Sequence, residues 1–352
     1  MANERGKTEN GVGPAAPPRG LAILAIVGPS MVWAAEYIGS GEVILAPRAG
    51  AILGIGILWI VIATVFLKFL IGMCGARYTV CTGEGMIDMF DRIPGPRHWA
   101  VWVVLVVQFV AGAVSTGALA SASGSFVSDL LGIDRSSALN LFGASVTLRS
   151  LCGWAVAIFA LSIAWMGEFR ILKVVMTALV LIMVLSVMLI AVRVFPPASE
   201  FLRSFSFSIP SVPDWAAAQS GVSDSWKIVL PLLGWSAGGF ASQVWYSYWV
   251  IGANYGMAEG RGYGRPADVN ILKNLGQSAA EKIKGWCRVV YADATLALVI
   301  GIVVTSSFLV AGAGVLRPLQ QVPDKEKVAE TLSQLLSWKW GAVGRTLYLL
   351  AG

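Results

Sequence analysis

Charge is what this 352-residue chain has least of: Asp, Glu, Lys and Arg together make up 13% of it. A soluble domain carries roughly 25%. Set beside 56% hydrophobic residues and a mean hydropathy of +0.71, the deficit points to a polytopic membrane protein. Histidine is nearly absent, since His98, close to Pro94 and Pro96, stands alone. That excludes a histidine cluster as catalytic or metal-holding apparatus. Cys74, Cys81, Cys152 and Cys287 make no CxxC or Cys/His spacing, and read as small apolar fillers. No nucleophile–base pair is visible, so an enzyme is not expected and no cofactor is implied. The net charge of +6 sits in short loops between apolar runs, where it orients spans, and not in a patch that would take nucleic acid.

Crossing the hydrocarbon takes about 20 apolar residues. On that measure the expected spans lie at about 21–53, 55–75, 99–125, 151–166, 171–194, 228–251 and 289–313. An eighth, 341–352, runs only about three turns, so the chain reads as truncated within that helix or as ending on one that a partner completes. Residues 1–20 are polar and rich in Gly and Pro, a disordered lead-in with no cleavable signal peptide. The stretch 126–149 reads as a loop, and Gly167-Glu168-Phe169-Arg170 as a short turn. The linker 253–288 holds Arg261, Arg265, Lys273, Lys282, Lys284 and Arg288. Its weight in the count of bases places the amino terminus on the cytoplasmic side.

The first span contains the most informative stretch, GPSMVWAAEYIGSGEVILAPRAGAIL. Gly39-Ser40-Gly41 is poor helix material, and Glu42 beside it, at bilayer depth, is costly unless it faces a cavity or a partner. Unwound backbone is tolerated there only when buried in protein or lining water. The sixth span repeats the device at Gly234-Trp235-Ser236-Ala237-Gly238-Gly239. Interruptions in spans one and six fit two five-helix inverted repeats with an ion or substrate site at the breaks. The bland alternatives are a kinked packing helix whose Glu42 pairs with a base, and close helix crossings at the glycines. Small residues in the third span, Gly117 to Gly124, fit such a crossing. Lys68, deep in span two, needs a carboxylate or water; Glu36 either extends the negative field or pairs with a base. Asp293 reads as a helix-start residue. Ser306 and Ser307 either reach the sixth helix or bond their own backbone, and the aromatics from Trp235 to Trp249 read as packing or interface residues.

Several segments resemble the NRAMP family of divalent-metal transporters, which have the LeuT-type fold. The first-span stretch is similar to that family's first helix, whose break reads Asp-Pro-Gly-Asn. ARYTVCTGEGMIDMF is similar to the end of its second helix, and DKEKVAETLSQLL with GAVGRTLYLLAG to the approach and start of its eighth. The resemblance implies an all-α polytopic membrane protein with inverted repeats and broken helices 1 and 6. It also implies a secondary transporter in the cell (inner) membrane, moving a divalent metal ion by alternating access. Carried over position by position, the family's Asp falls on Gly39, its Pro on Ser40 and its Asn on Glu42. The sixth-helix Met-Pro-His falls on Ser236, Ala237 and Gly238, and a later His on Gln243. The implied metal site is therefore the Glu42 carboxylate, carbonyls at Gly39, Ser236 and Ala237, and the Gln243 amide. With no thioether, such an oxygen shell suits Mg or Mn. Third-helix acids tied to proton movement in related carriers fall on Gln108, Ser115 and Ala118, so proton coupling is expected to be weak or absent. Two rival readings stay open: a carrier of a small organic solute such as an amino acid, and a non-transporting membrane sensor or scaffold.

Overall fold

The computed structural model describes residues 13–20, 22–26, 28–134, 137–141, 144–166, 170–324 and 327–351. Residues 1–12 of the expected lead-in and the turn at 167–169 lie outside the described residues. The protein is an all-α polytopic membrane protein. Helices α1 (Ala22–Ile26) and α2 (Pro29–Tyr37) precede the first interruption, where Ile38 is extended (φ −73°, ψ 94°). Helical backbone resumes at Gly41–Leu45 in the wider π form and continues as α3 (Ala46–Leu53). A 3-10 turn then leads into α4 (Leu58–Thr82). Pro47 explains the local irregularity. It has no N–H to give the carbonyl of Val43 four residues back, and its ring crowds that carbonyl. Tyr348 supplies the missing donor, its hydroxyl bonding to Val43 O at 2.9 Å.

The chain continues through α5 (Met86–Phe90) and α6 (Trp99–Leu130) to an antiparallel hairpin of β1 (Ala138–Leu141) and β2 (Ala144–Thr147), with Leu139 opposite Val146. The expected loop is thus part helix and part hairpin. Leu139 and Leu141, facing Val146 and Ala144 across the pair, make an alternation too short to read from sequence. Next come α7 (Leu148–Met166), α8 (Arg170–Arg193), α9 (Ala198–Arg203) and α10 (Asp214–Ser220). The sixth span is α11 (Trp226–Trp235) and α12 (Phe240–Gly252), separated by residues 236–239. Two successive residues there, Ala237 (φ 53°) and Gly238 (φ 70°), are left-handed, and a non-glycine residue seldom takes that conformation.

The last elements are α13 (Val269–Lys273), α14 (Gln277–Ala311), a π turn at Gly312–Leu316, and α15 (Val328–Ala351). Helix α14 begins well before the expected residue 289. QSAAEKIKGWC is good helix former, and its charges hide it from a hydropathy window without weakening the helix. Helix α15 likewise starts before the expected 341, on the apolar stripe Val328, Leu332, Leu335 and Leu336, and leaves helical geometry at Gly341 (φ 53°, ψ −134°). Among the described residues three continuous runs are long and apolar enough to cross a membrane: Gly41–Thr82, Trp99–Leu130 and Gln277–Leu316.

Two compact units emerge. The first comprises Met1–Ile38, Thr64–Phe109 and Ala237–Ile302; the second comprises Gly39–Ala63, Val110–Ser236 and Val303–Gly352. In the first, α2 packs on α12 through Trp33 stacked on Tyr246, ring centroids 4.3 Å apart. Residues 13–20, expected to be disordered, form neither helix nor strand, and Ala15 is tied to α14. Trp286 donates to Ala15 O at 3.0 Å, and the Ala15 amide donates to Glu259 at 2.9 Å. In the second unit, α3 crosses the π turn at glycines. A Cβ on Gly50 would lie 2.1 Å from Leu309 O, and one on Gly312 would lie 2.2 Å from Pro47 O. Lipid gives apolar side chains no reason to leave it, so small residues that let backbones touch are what join helices here. Gly124 and Gly153 make the same kind of crossing between α6 and α7, whereas Gly112 and Gly117 face open space.

Candidate cation site at the helix breaks

In the second unit the first interruption meets the end of α11. A Cβ added to Gly41 would sit 2.4 Å from the carbonyl oxygen of Trp235 and 3.0 Å from the amide of Ser236. Only glycine lets the two backbones approach so closely. Gly39, Glu42 and Ser236 are therefore drawn to one place. The Glu42 side chain is 0% exposed. Its Oε2 accepts from the Gly39 amide at 3.2 Å, and its Oε1 accepts from the Thr305 hydroxyl at 3.1 Å. These two donors fix the side chain in place at the break. The Gly39 carbonyl is engaged already, by the amides of Glu42 at 3.1 Å and Val43 at 2.9 Å. It acts as the head of the returning helix, and Gly39 meets Glu42 through its N–H.

Ala237 and Gln243 belong to the first unit. Gln243 Nε2 donates to Ala237 O at 3.1 Å and to Gly239 O at 3.3 Å. Lys68, which the sequence left in need of a partner, donates to Gly238 O at 2.6 Å. The side-chain oxygen of Gln243 is buried without a hydrogen-bond partner among the described residues. It lines a cavity of about 10 Å³ with Trp33, Lys68, Phe69 and Ala237, room for about one water. Glu36, in the same unit, accepts from the Ser242 hydroxyl at 3.0 Å. Among the described residues no three His, Cys, Asp or Glu side chains gather as a closed metal shell would require.

Thr305 was missed by sequence reasoning, which singled out its neighbours. Ser307 bonds its own backbone at Val303 O, 2.7 Å away, while Thr305 points at Glu42. A polar triplet in an apolar run announces that something polar is near, but its helical phase cannot be read without knowing the packing face. Asp293 is corrected too. It lies well inside α14, 0% exposed, and accepts from Ser30 Oγ at 2.8 Å, Ser30 N at 3.1 Å and the Tyr246 hydroxyl at 2.8 Å. Rather than starting its own helix, it caps the first turn of α2. Trp235, Trp245 and Trp249 are exposed and Tyr246 is buried against Trp33, as packing and interface residues are.

Outside the spans, Glu84 forms a second buried cluster. It takes both a 2.7 Å and a 2.8 Å bond from Arg92, and further bonds from Tyr78 and the Ala267 amide. Burial alone would raise its pKa, but these donors outweigh it and hold the carboxyl below the ordinary glutamate range.

Residues 30–222 match a family profile described as Natural resistance-associated macrophage protein-like (Nramp). The match covers more than half of the chain and includes the first break. The chain belongs to this family. Among curated relatives, the divalent metal cation transporter MntH of Yersinia enterocolitica serotype O:8 is 35% identical over 81 residues, 23% of this chain and 20% of the relative. The MntH proteins of Yersinia pestis (strain Pestoides F) and Pectobacterium carotovorum (strain PC1) are each 32% identical over 81 residues, with the same coverage. The matched stretch thus spans about a fifth of these relatives' length. Within this Nramp-family chain, the first-helix break at Gly39, Ser40, Gly41 and Glu42 falls inside the matched residues.

Proposed function

We propose that this Nramp-family chain is a secondary carrier that moves a divalent metal cation across the cell (inner) membrane, with its amino terminus cytoplasmic. The buried Glu42 carboxylate at the first interruption carries the reading. A charge so placed is expensive, and in membrane proteins such residues mark ion pathways. Its two described donors, Gly39 N–H and Thr305 O–H, hold the side chain at the break. Ser236, whose own amide lies against Gly41, contributes a carbonyl, and the Gln243 amide oxygen is proposed as a further ligand, whereas the Ala237 carbonyl is engaged by Gln243 Nε2. The Gly39 carbonyl, engaged by two amides, leaves the proposed shell.

One carboxylate and neutral oxygens suit a hard cation that keeps part of its water, which favours Mg or Mn over softer metals. Chain flexibility at residues 38–40 and 236–239 supplies hinges for alternating access. Gln108, Ser115 and Ala118 replace acids along the third span, so transport runs with weak or no proton coupling. The test is uptake by proteoliposomes. Mg or Mn should enter without matched acidification of the trans side. Isothermal titration that shows an amino acid binding and neither metal would overturn the proposal.

A further inference from the structure

The amino-terminal strap and the head of α14 enclose a cavity of about 750 Å³, all within the first unit. One wall is Pro17, Pro18 and Arg19; the other presents Lys282, Lys284 and Arg288. The strap is fixed and not merely nearby. Trp286 and Glu259 hold Ala15, and Gly285 makes room for Pro17, whose Cγ would lie 2.4 Å from an added Cβ.

Four bases face one acid in this cavity. The acid, Glu281, accepts from Gln277 Nε2 at 3.4 Å. Among the described residues none of the four bases forms an ion pair with a carboxylate. Arg19, Lys284 and Arg288 are exposed, and Lys282 is half-buried. The positive end of a 35-residue helix adds to the field. Gln277–Leu316 is long and apolar enough to cross a membrane, and Lys282, Lys284 and Arg288 lie in its first turns, ahead of the more apolar stretch from Val289, a placement that suits headgroup depth.

We propose that this cavity binds the phosphate group of an anionic glycerophospholipid, with Arg19, Lys282, Lys284 and Arg288 as its cationic wall. The phosphodiester takes charge-assisted bonds from guanidinium and ammonium groups, and its acyl chains follow the apolar flank of α14. The site is separate from the cation breaks and does not depend on the cargo.

The test is native mass spectrometry of the full chain released from micelles containing equal phosphatidylglycerol and phosphatidylcholine. Wild type should retain phosphatidylglycerol preferentially. Each base replaced by Gln should weaken retention about fivefold, and K282Q/K284Q/R288Q about a hundredfold. If that variant does not fold, R288Q alone must show its fivefold loss while K282R/K284R/R288K keeps wild-type retention. Equal retention of the two lipids, or unchanged retention in the variants, overturns the site. Glycerol phosphate and inorganic phosphate form the control arm. If either raises the melting temperature as much as the lipid does, and the lipid is not retained, the cavity takes a free anion and the lipid assignment falls.

Discussion

Glu42→Gln separates charge from shape at the first break. Each carboxylate oxygen accepts one described bond, from Gly39 N–H at 3.2 Å and from the Thr305 hydroxyl at 3.1 Å. Glutamine can keep both: its oxygen faces the fixed Gly39 amide, and its NH₂ donates to Thr305, whose hydroxyl turns to accept. The exchange of charged for neutral hydrogen bonds costs about 1 kcal/mol, a shift of a few degrees in melting temperature at most. Cation binding should respond far more strongly. Removing one member of a buried charge pair costs about 3–5 kcal/mol, or between two and four orders of magnitude in Kd. The assay is isothermal titration of Mg and Mn into purified wild type and variant, with uptake into proteoliposomes measured in parallel. A Glu42→Gln protein that melts normally and binds and transports metal within threefold of wild type would refute the assignment of charge to this residue.

Tyr348→Phe deletes the hydroxyl that serves Val43 O and leaves that carbonyl buried without its donor, so thermal melts should show a loss of about 1–3 kcal/mol. Thr305→Val removes a donor to a carboxylate at nearly constant volume and should cost about 1.5–3 kcal/mol by the same measurement. Gly41→Ala places a methyl 2.4 Å from the Trp235 carbonyl oxygen, so transport should fall sharply while Gly112→Ala, with nothing within 4 Å, changes little. The folded pKa of Glu84 is depressed, so its stabilising contribution is complete above the ordinary glutamate range and is lost as pH falls through the lowered value. Melting temperature should therefore be flat through neutral pH and fall in acid, and Arg92→Gln should remove most of that acid dependence.

The class of the protein and both interruptions were legible in sequence because they rest on composition and on glycine, which act locally. Gly39-Ser40-Gly41 fails as helix whatever surrounds it, and Glu42 is conspicuous in an apolar run. What could not be read depends on contacts distant in the chain. Thr305 reaches Glu42, and Tyr348 reaches Val43, from more than two hundred and fifty residues away. Helices α14 and α15 start before the expected spans for a different reason. Apolar windows detect what sits in lipid, whereas helices run on into water wherever residues such as QSAAEKIK allow.

Breaks were expected to matter because they free carbonyl oxygens, and that step of the argument needs revision. At the first break Gly39 O is taken by two amides. At the second, Gly238 O receives Lys68, and the carbonyls of Ala237 and Gly239 receive Gln243. A carbonyl with such partners offers a cation less than a bare one, since binding must first loosen or share the existing bond. Within each unit the oxygen left most available is on a side chain: the Glu42 carboxylate in one and, in the other, Gln243 Oε1, which has no hydrogen-bond partner among the described residues. A cargo held mainly by one charge and few neutral oxygens must keep water in its remaining positions. Under the function proposed above, that fits an ion reluctant to dehydrate, in keeping with the proposed Mg or Mn class.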